Sequence, residues 1–108
     1  MTRLAVRLLA VALVLFAAAD VRADDVAEEA DFRFRRAIEH YSKGRIDEAL
    51  SEFYASNRLV RNRNVITNIG RCLEALGQVN EAYRTYAELL NDPMSDADRA
   101  ALQQRLSG

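Results

Sequence analysis

This chain is short of the residues that usually carry chemistry or cross-links. Its single cysteine, Cys72, excludes an internal disulfide and a cysteine-based metal cluster. Its single histidine, His40, has no serine or cysteine nucleophile and orienting carboxylate placed beside it by sequence. The four glycines, Gly44, Gly70, Gly77 and Gly108, stand too far apart to make a phosphate loop. There is one proline, Pro93, and no tryptophan. Lysine occurs once, as Lys43, and every other basic residue is arginine. With the many alanines, this suggests a GC-rich bacterial coding sequence. No stretch alternates apolar and polar residues as a half-buried strand does. At 108 residues and a net charge of −1, the chain also lacks the basic excess that nucleic acid requires. No cofactor, metal site or catalytic set is expected.

Residues 1–23 have the layout of a secretory signal peptide. Arg3 and Arg7 form a short basic region, and Leu8 to Ala19 is an unbroken apolar run. Val21-Arg22-Ala23 then offers a small-x-small cleavage site, with cleavage after Ala19 as a second option. The run is too short to span a bilayer, which takes about 20 apolar residues. The other reading is an uncleaved anchor, which would be the chain's one membrane contact. Removal of the segment 1–23 takes away Arg3, Arg7 and Arg22 but only one acid, Asp20, and leaves a small, mildly acidic domain. An exported domain of that size often relies on disulfides, so this one must hold by helix packing alone.

The remainder reads as helices. Asp24, Asp25, Glu28, Glu29 and Asp31 suit the first turns of a helix, where negative charge opposes the helix dipole. Ala27, Ala30, Phe34, Ala37 and Tyr41 follow at helical spacing. Gly44 ends that helix, and Asp47 is placed to cap the next. Its stripe is Ile46, Ala49, Leu50, Phe53 and Val60, and Arg61–Asn64 reads as a loop. Val65, Ile66, Ile69, Cys72, Leu73 and Leu76 form the third stripe, closed by Gly77. Asn80 is placed to cap a fourth helix with Val79, Ala82, Tyr83, Tyr86 and Leu90 on its stripe. Pro93 ends it, and Ser95 with Asp98 resembles a capping box for a last helix bearing Ala97, Ala101, Leu102 and Leu106.

A pattern recurs with a fixed period. Gly44-Arg45-Ile46-Asp47-Glu48-Ala49 returns as Gly77-Gln78-Val79-Asn80-Glu81-Ala82, a 33-residue offset. In the same register Ala37 pairs with Gly70, and Phe53 with Tyr86. Small residues at a crossing let two helix backbones approach, the aromatic fills the adjoining space, and the glycine allows a tight turn. A period of about 20–50 residues is the signature of a helical repeat array.

These positions resemble the tetratricopeptide repeat over about residues 30–93. With residues 1–23 read as a signal peptide from their own layout, the resemblance implies an all-α solenoid of two helical hairpins over 24–94, followed by a capping helix over 95–108. The family's usual period is one residue longer, and the proline that often ends each unit occurs only as Pro93. By position, the resemblance assigns a peptide groove to Asp31, Phe34, Arg35, Ile38 and Tyr41 in unit one. Unit two contributes Asn64, Thr67, Asn68, Arg71 and Glu74. Asn68 falls where members of the family hydrogen-bond a peptide backbone. Phe34 and Ile38 fall where chaperone-binding members hold a two-carboxylate clamp, so a C-terminal carboxylate ligand is not expected.

The implied function is a non-catalytic protein- or peptide-binding scaffold in the bacterial periplasm or envelope, with self-association as a further option. The alternative is the N-terminal repeat portion of a larger envelope protein whose effector domain lies outside this chain. Cys72 sits on an apolar stripe and reads as core, with an intermolecular disulfide as the lesser reading. His40 reads as a partly buried or surface residue. Arg58 and Arg61, near Arg63, read as a solvated face or as a cationic rim for an acidic partner. The export reading predicts that protein made in a native-like bacterial host loses an N-terminal segment ending at or near Ala23. N-terminal sequencing checks this, and an intact Met1 on cytoplasmic protein refutes it.

Overall fold

A computed structural model describes the backbone of residues 2–108 and the side chains of residues 22–108. Among the described residues the fold is all-α, with five helices: α1 (Thr2–Ser42), α2 (Ile46–Leu59), α3 (Arg63–Ala75), α4 (Val79–Leu89) and α5 (Asp96–Ser107). Each packs on the next in chain order: α1 on α2, α2 on α3, α3 on α4, and α4 on α5. The side chains of the expected signal peptide, 1–23, lie outside the described residues except for Arg22 and Ala23, which are exposed. Among the described residues, no helix is long and apolar enough to cross a membrane.

The two glycine turns are the same turn. Gly44 has φ +75° and Gly77 φ +78°, a conformation that only glycine adopts without strain. The Gly44 N–H donates to Tyr41 O at 3.0 Å, and the Arg45 N–H to His40 O at 2.9 Å. One period on, the Gly77 N–H donates to Glu74 O at 3.0 Å, and the Gln78 N–H to Leu73 O at 2.8 Å. This pairing closes a helix C-terminus with a left-handed residue. It leaves Arg45 and Gln78 as the single links to the next helix, at φ −86°, ψ 72° and φ −87°, ψ 67°.

That tightness corrects the expected caps. Helix α2 starts at Ile46 and α4 at Val79, so Asp47 and Asn80 sit inside the first turn rather than before it. Neither Arg45 nor Gln78 makes a side-chain cap. Side-chain caps occur at the starts of α3 and α5. Asn62 accepts from the Asn64 and Val65 N–H groups, and Ser95 accepts from the Asp98 N–H at 3.1 Å. Asn62 and Ser95 are themselves one period apart. Because Asn62 caps, helix begins at Arg63, and the expected loop over 61–64 shortens to residues 60–62.

The core is one cluster of Ala37, Ala49, Phe53, Val65, Ile69, Cys72, Leu73, Ala82 and Tyr86. Phe34, Ile46, Leu50, Leu102 and Leu106 pack against it half-buried. Some stripe residues fall outside it. Val60 is the α2 C-cap, Val79 is the first residue of α4, and Tyr83 faces away; they are 43, 67 and 54% exposed. Ala27 and Tyr41 are also exposed. Leu89 and Ser56 are buried instead, and the Ser56 hydroxyl donates to Ala30 O at 2.7 Å, joining α2 to α1.

Gly70 lies beneath the Tyr86 ring. A Cβ there would stand 2.9 Å from Tyr86 Cδ1 and closer still to Cε1 and Cζ. Gly70→Ala should therefore destabilise by about 1–3 kcal/mol despite alanine's higher helix propensity. In a Tyr86→Leu background the same change should cost far less, because the obstructing ring is gone. Chemical denaturation of the four variants measures the coupling, and equal costs in both backgrounds would refute it.

Candidate functional site

One cleft, of about 420 Å³, lies between α3, α4 and α5. Arg63, Asn64, Thr67 and Arg71 contribute from α3, and Asp98, Ala101 and Arg105 from α5. Tyr86, Leu89, Met94 and Leu102 supply its apolar wall. A second cleft, of about 280 Å³, is lined by Asp31 and Phe34 of α1, Ser56 of α2 and Asn64 and Val65 of α3. Asn64 lines both clefts, so it stands where they meet.

The structure gathers part of the expected groove. Asn64, Thr67 and Arg71 line the larger cleft, and Asp31, Phe34 and Asn64 the smaller. Phe34 also packs on Phe53, with ring centroids 5.8 Å apart. Arg35 is 70% exposed, pairs with Asp31 at 3.2 Å, and lies against a shallow hollow on α1 alone. Ile38 and Tyr41 are exposed on α1 and line neither cleft. Asn68 is half-buried, and its amide donates back to Asn64 O at 3.0 Å. That bond holds Asn68 against its own helix and outside both clefts. The signature residues Ala37, Ala49, Phe53, Ala82 and Tyr86 are core, Gly70 underlies Tyr86, and Gly44 and Gly77 make the turns.

Sequence reasoning missed Arg105, the residue that ties α5 to this site. Its guanidinium lies 5.2 Å from the Tyr86 ring centroid and donates to the Tyr86 hydroxyl at 3.1 Å. Glu74 lies 3.6 Å from the same guanidinium nitrogen. The repeat register offered the missing signal, since Arg105 follows the buried Cys72 by one period. On the cleft rim, Arg63 donates to Pro93 O at 2.7 Å. Arg61 forks onto both oxygens of Asp92, at 3.0 and 3.1 Å. Of the suggested cationic rim, Arg61 is thus engaged within the fold, and Arg58 is exposed. Arg33 bridges α1 to α2: Glu52 first, then Glu29, hold its pKa above the ordinary value.

Among the described residues, no group of His, Cys, Asp and Glu could hold a metal ion. His40 is half-buried, with Nδ1 shielded and unpartnered. Cys72 is fully buried, which overturns the intermolecular disulfide, because the sulfur cannot be reached without opening the core. Comparison with family models, with curated proteins and with solved structures finds no match for the chain.

Burial pushes the Cys72 thiol from its ordinary 9.0 to about 11. The protonated thiol's contribution to stability is intact below the ordinary value. It is lost as pH rises through the folded value, because the unfolded chain ionises first. Stability should therefore fall between about pH 9 and 11. Cys72→Ala should flatten that slope without abolishing it, since burial also raises the Tyr54 and Tyr86 hydroxyls. Denaturant titrations across that range measure the slope. A thiol reagent should modify Cys72 only as the protein unfolds, and rapid labelling of the folded protein would refute its burial.

Proposed function

We propose that this chain is an exported, non-catalytic scaffold of the tetratricopeptide type, and that it binds an extended segment of another protein along α1, α3 and α5. The observation that carries the reading is the recurrence of one closing turn, hydrogen bond for hydrogen bond, at Gly44 and Gly77. The caps at Asn62 and Ser95 extend the same period. Helices that pack in chain order at a fixed period form a stack, and stacks of this kind offer long surfaces to partners. The two clefts meeting at Asn64 supply such a surface. Periplasmic placement rests on the layout of residues 1–23.

The groove residues divide by what they already do. Asn64 presents its side chain at the cleft, whereas Thr67 and Asn68 each donate to a carbonyl one turn back in their own helix, at 3.0 Å. Binding should therefore depend on Asn64 more than on Thr67 or Asn68. A pull-down of the mature domain from the native envelope fraction identifies the partner. Calorimetric titration then measures the variants. Asn64→Ala should weaken binding by about 1–3 kcal/mol, because a backbone group of the partner loses its hydrogen bond. Glu88→Ala, exposed on α4, should leave affinity unchanged. Equal affinity of wild type, Asn64→Ala and Thr67→Ala would place the binding surface elsewhere.

A further inference from the structure

Resting on that groove reading, we infer that the cleft between α3 and α5 selects an acidic side chain followed by an apolar one in the bound segment. Three guanidinium groups, Arg63, Arg71 and Arg105, meet one carboxylate, Asp98, in its lining. The three differ in how far the fold commits them. Arg63 is held by Pro93 O, with Asp98 at 3.9 Å. Arg105 is fixed over the Tyr86 ring by one nitrogen, which donates to the Tyr86 hydroxyl and lies 3.6 Å from Glu74. Arg71 is exposed, and among the described residues no ion pair engages it. A cleft with one unengaged and one preoriented guanidinium has unsatisfied donors that fit the two oxygens of a carboxylate. Met94 and Leu102, both half-buried, stand beside them as an apolar seat. Charge complementarity therefore names the occupant: a partner segment with aspartate or glutamate next to a large apolar residue.

The test uses fluorescein-labelled peptides and fluorescence anisotropy on the chain lacking the segment 1–23 and, in parallel, on the uncleaved chain. The probes are a C-terminally amidated peptide of glutamate and leucine, the same peptide with glutamine for glutamate, and the same with lysine. A fourth probe is the glutamine peptide with a free C-terminal carboxylate. The glutamate peptide should bind about tenfold more tightly than the glutamine peptide, and the lysine peptide more weakly than either. The glutamate peptide's affinity should fall as salt rises to about 0.5 M, because exposed charges are screened. Arg71→Gln should remove most of the tenfold preference while leaving the glutamine peptide's affinity unchanged. Arg84→Gln, on exposed α4 surface outside the cleft, should change neither.

Arg105→Gln loosens Tyr86 as well, so Arg71, which supports nothing else, is the deciding position. Equal binding of the glutamate and glutamine peptides would overturn the acidic preference and leave the groove reading standing. Binding of the free-terminus peptide alone would overturn it in favour of a chain-terminal carboxylate. Binding of no peptide would overturn both. If the protein instead sediments as a dimer that Arg71→Glu dissociates, a second copy fills the cleft and the inference fails.

Discussion

The contact on which the second half of the structure depends is the Tyr86 ring against the Gly70 backbone. It sets how closely α3 and α4 approach, because no side chain at position 70 holds them apart. The same ring then serves α5: its face and its hydroxyl both receive Arg105. One side chain thus joins three helices, with an apolar body buried among Cys72, Leu73 and Ala82 and a polar tip turned to the rim. The first half solves the same problem with a different pair. Ala37 and Phe53 are both fully buried, and Phe53 packs on Phe34 where Tyr86 takes an arginine. In the repeat register, Ala37 and Phe53 of the first half take the places of Gly70 and Tyr86 in the second.

The period explains why α5 behaves as it does. Displaced by one period, the buried residues of α3 (Val65, Ile66, Ile69, Gly70, Cys72 and Leu73) become Asp98, Arg99, Leu102, Gln103, Arg105 and Leu106. The two leucines pack on the core; the other four positions are polar or charged. None of the residues of α5 is buried. A helix built this way covers its neighbour with one narrow edge and turns charge outward. The replacement also puts a carboxylate and a guanidinium at the cleft wall, so what shields the core shapes the site.

Much of the fold was legible in the sequence because it is written in residues with one physical use. Glycine at a helix end and small residues opposite aromatics admit few readings, and the five helices follow from them. The caps were misread at Asp47 and Asn80 for a definite reason. A closing turn that uses Gly44 and Arg45 for two backbone bonds leaves no residue free to precede the next helix as a side-chain cap. Val79 and Tyr83 misled because apolar character at helical spacing does not distinguish the inner side of a thin helix pair from its outer side. The candidate site was less legible still. Asn68 occupies a favourable position in the repeat, yet its amide finds an acceptor one turn back. Arg105 lies in the segment with the weakest periodicity, and only the third pass of the register points to it.

On the proposed reading, recognition and stability separate among the charges around the cleft. Arg61 and Arg63 each join segments that are distant in the chain, to Asp92 and Pro93. Removing either would disturb packing as well as the proposed groove. Arg71 differs because its backbone belongs to a helix fixed by the core while its guanidinium supports nothing within the fold. A side chain of that kind can change with little cost to stability. The helix stack is therefore set by Gly44, Gly70, Gly77 and the aromatics, and on the proposed groove reading Arg71 is the position at which a partner preference would be retuned with the helices left in place.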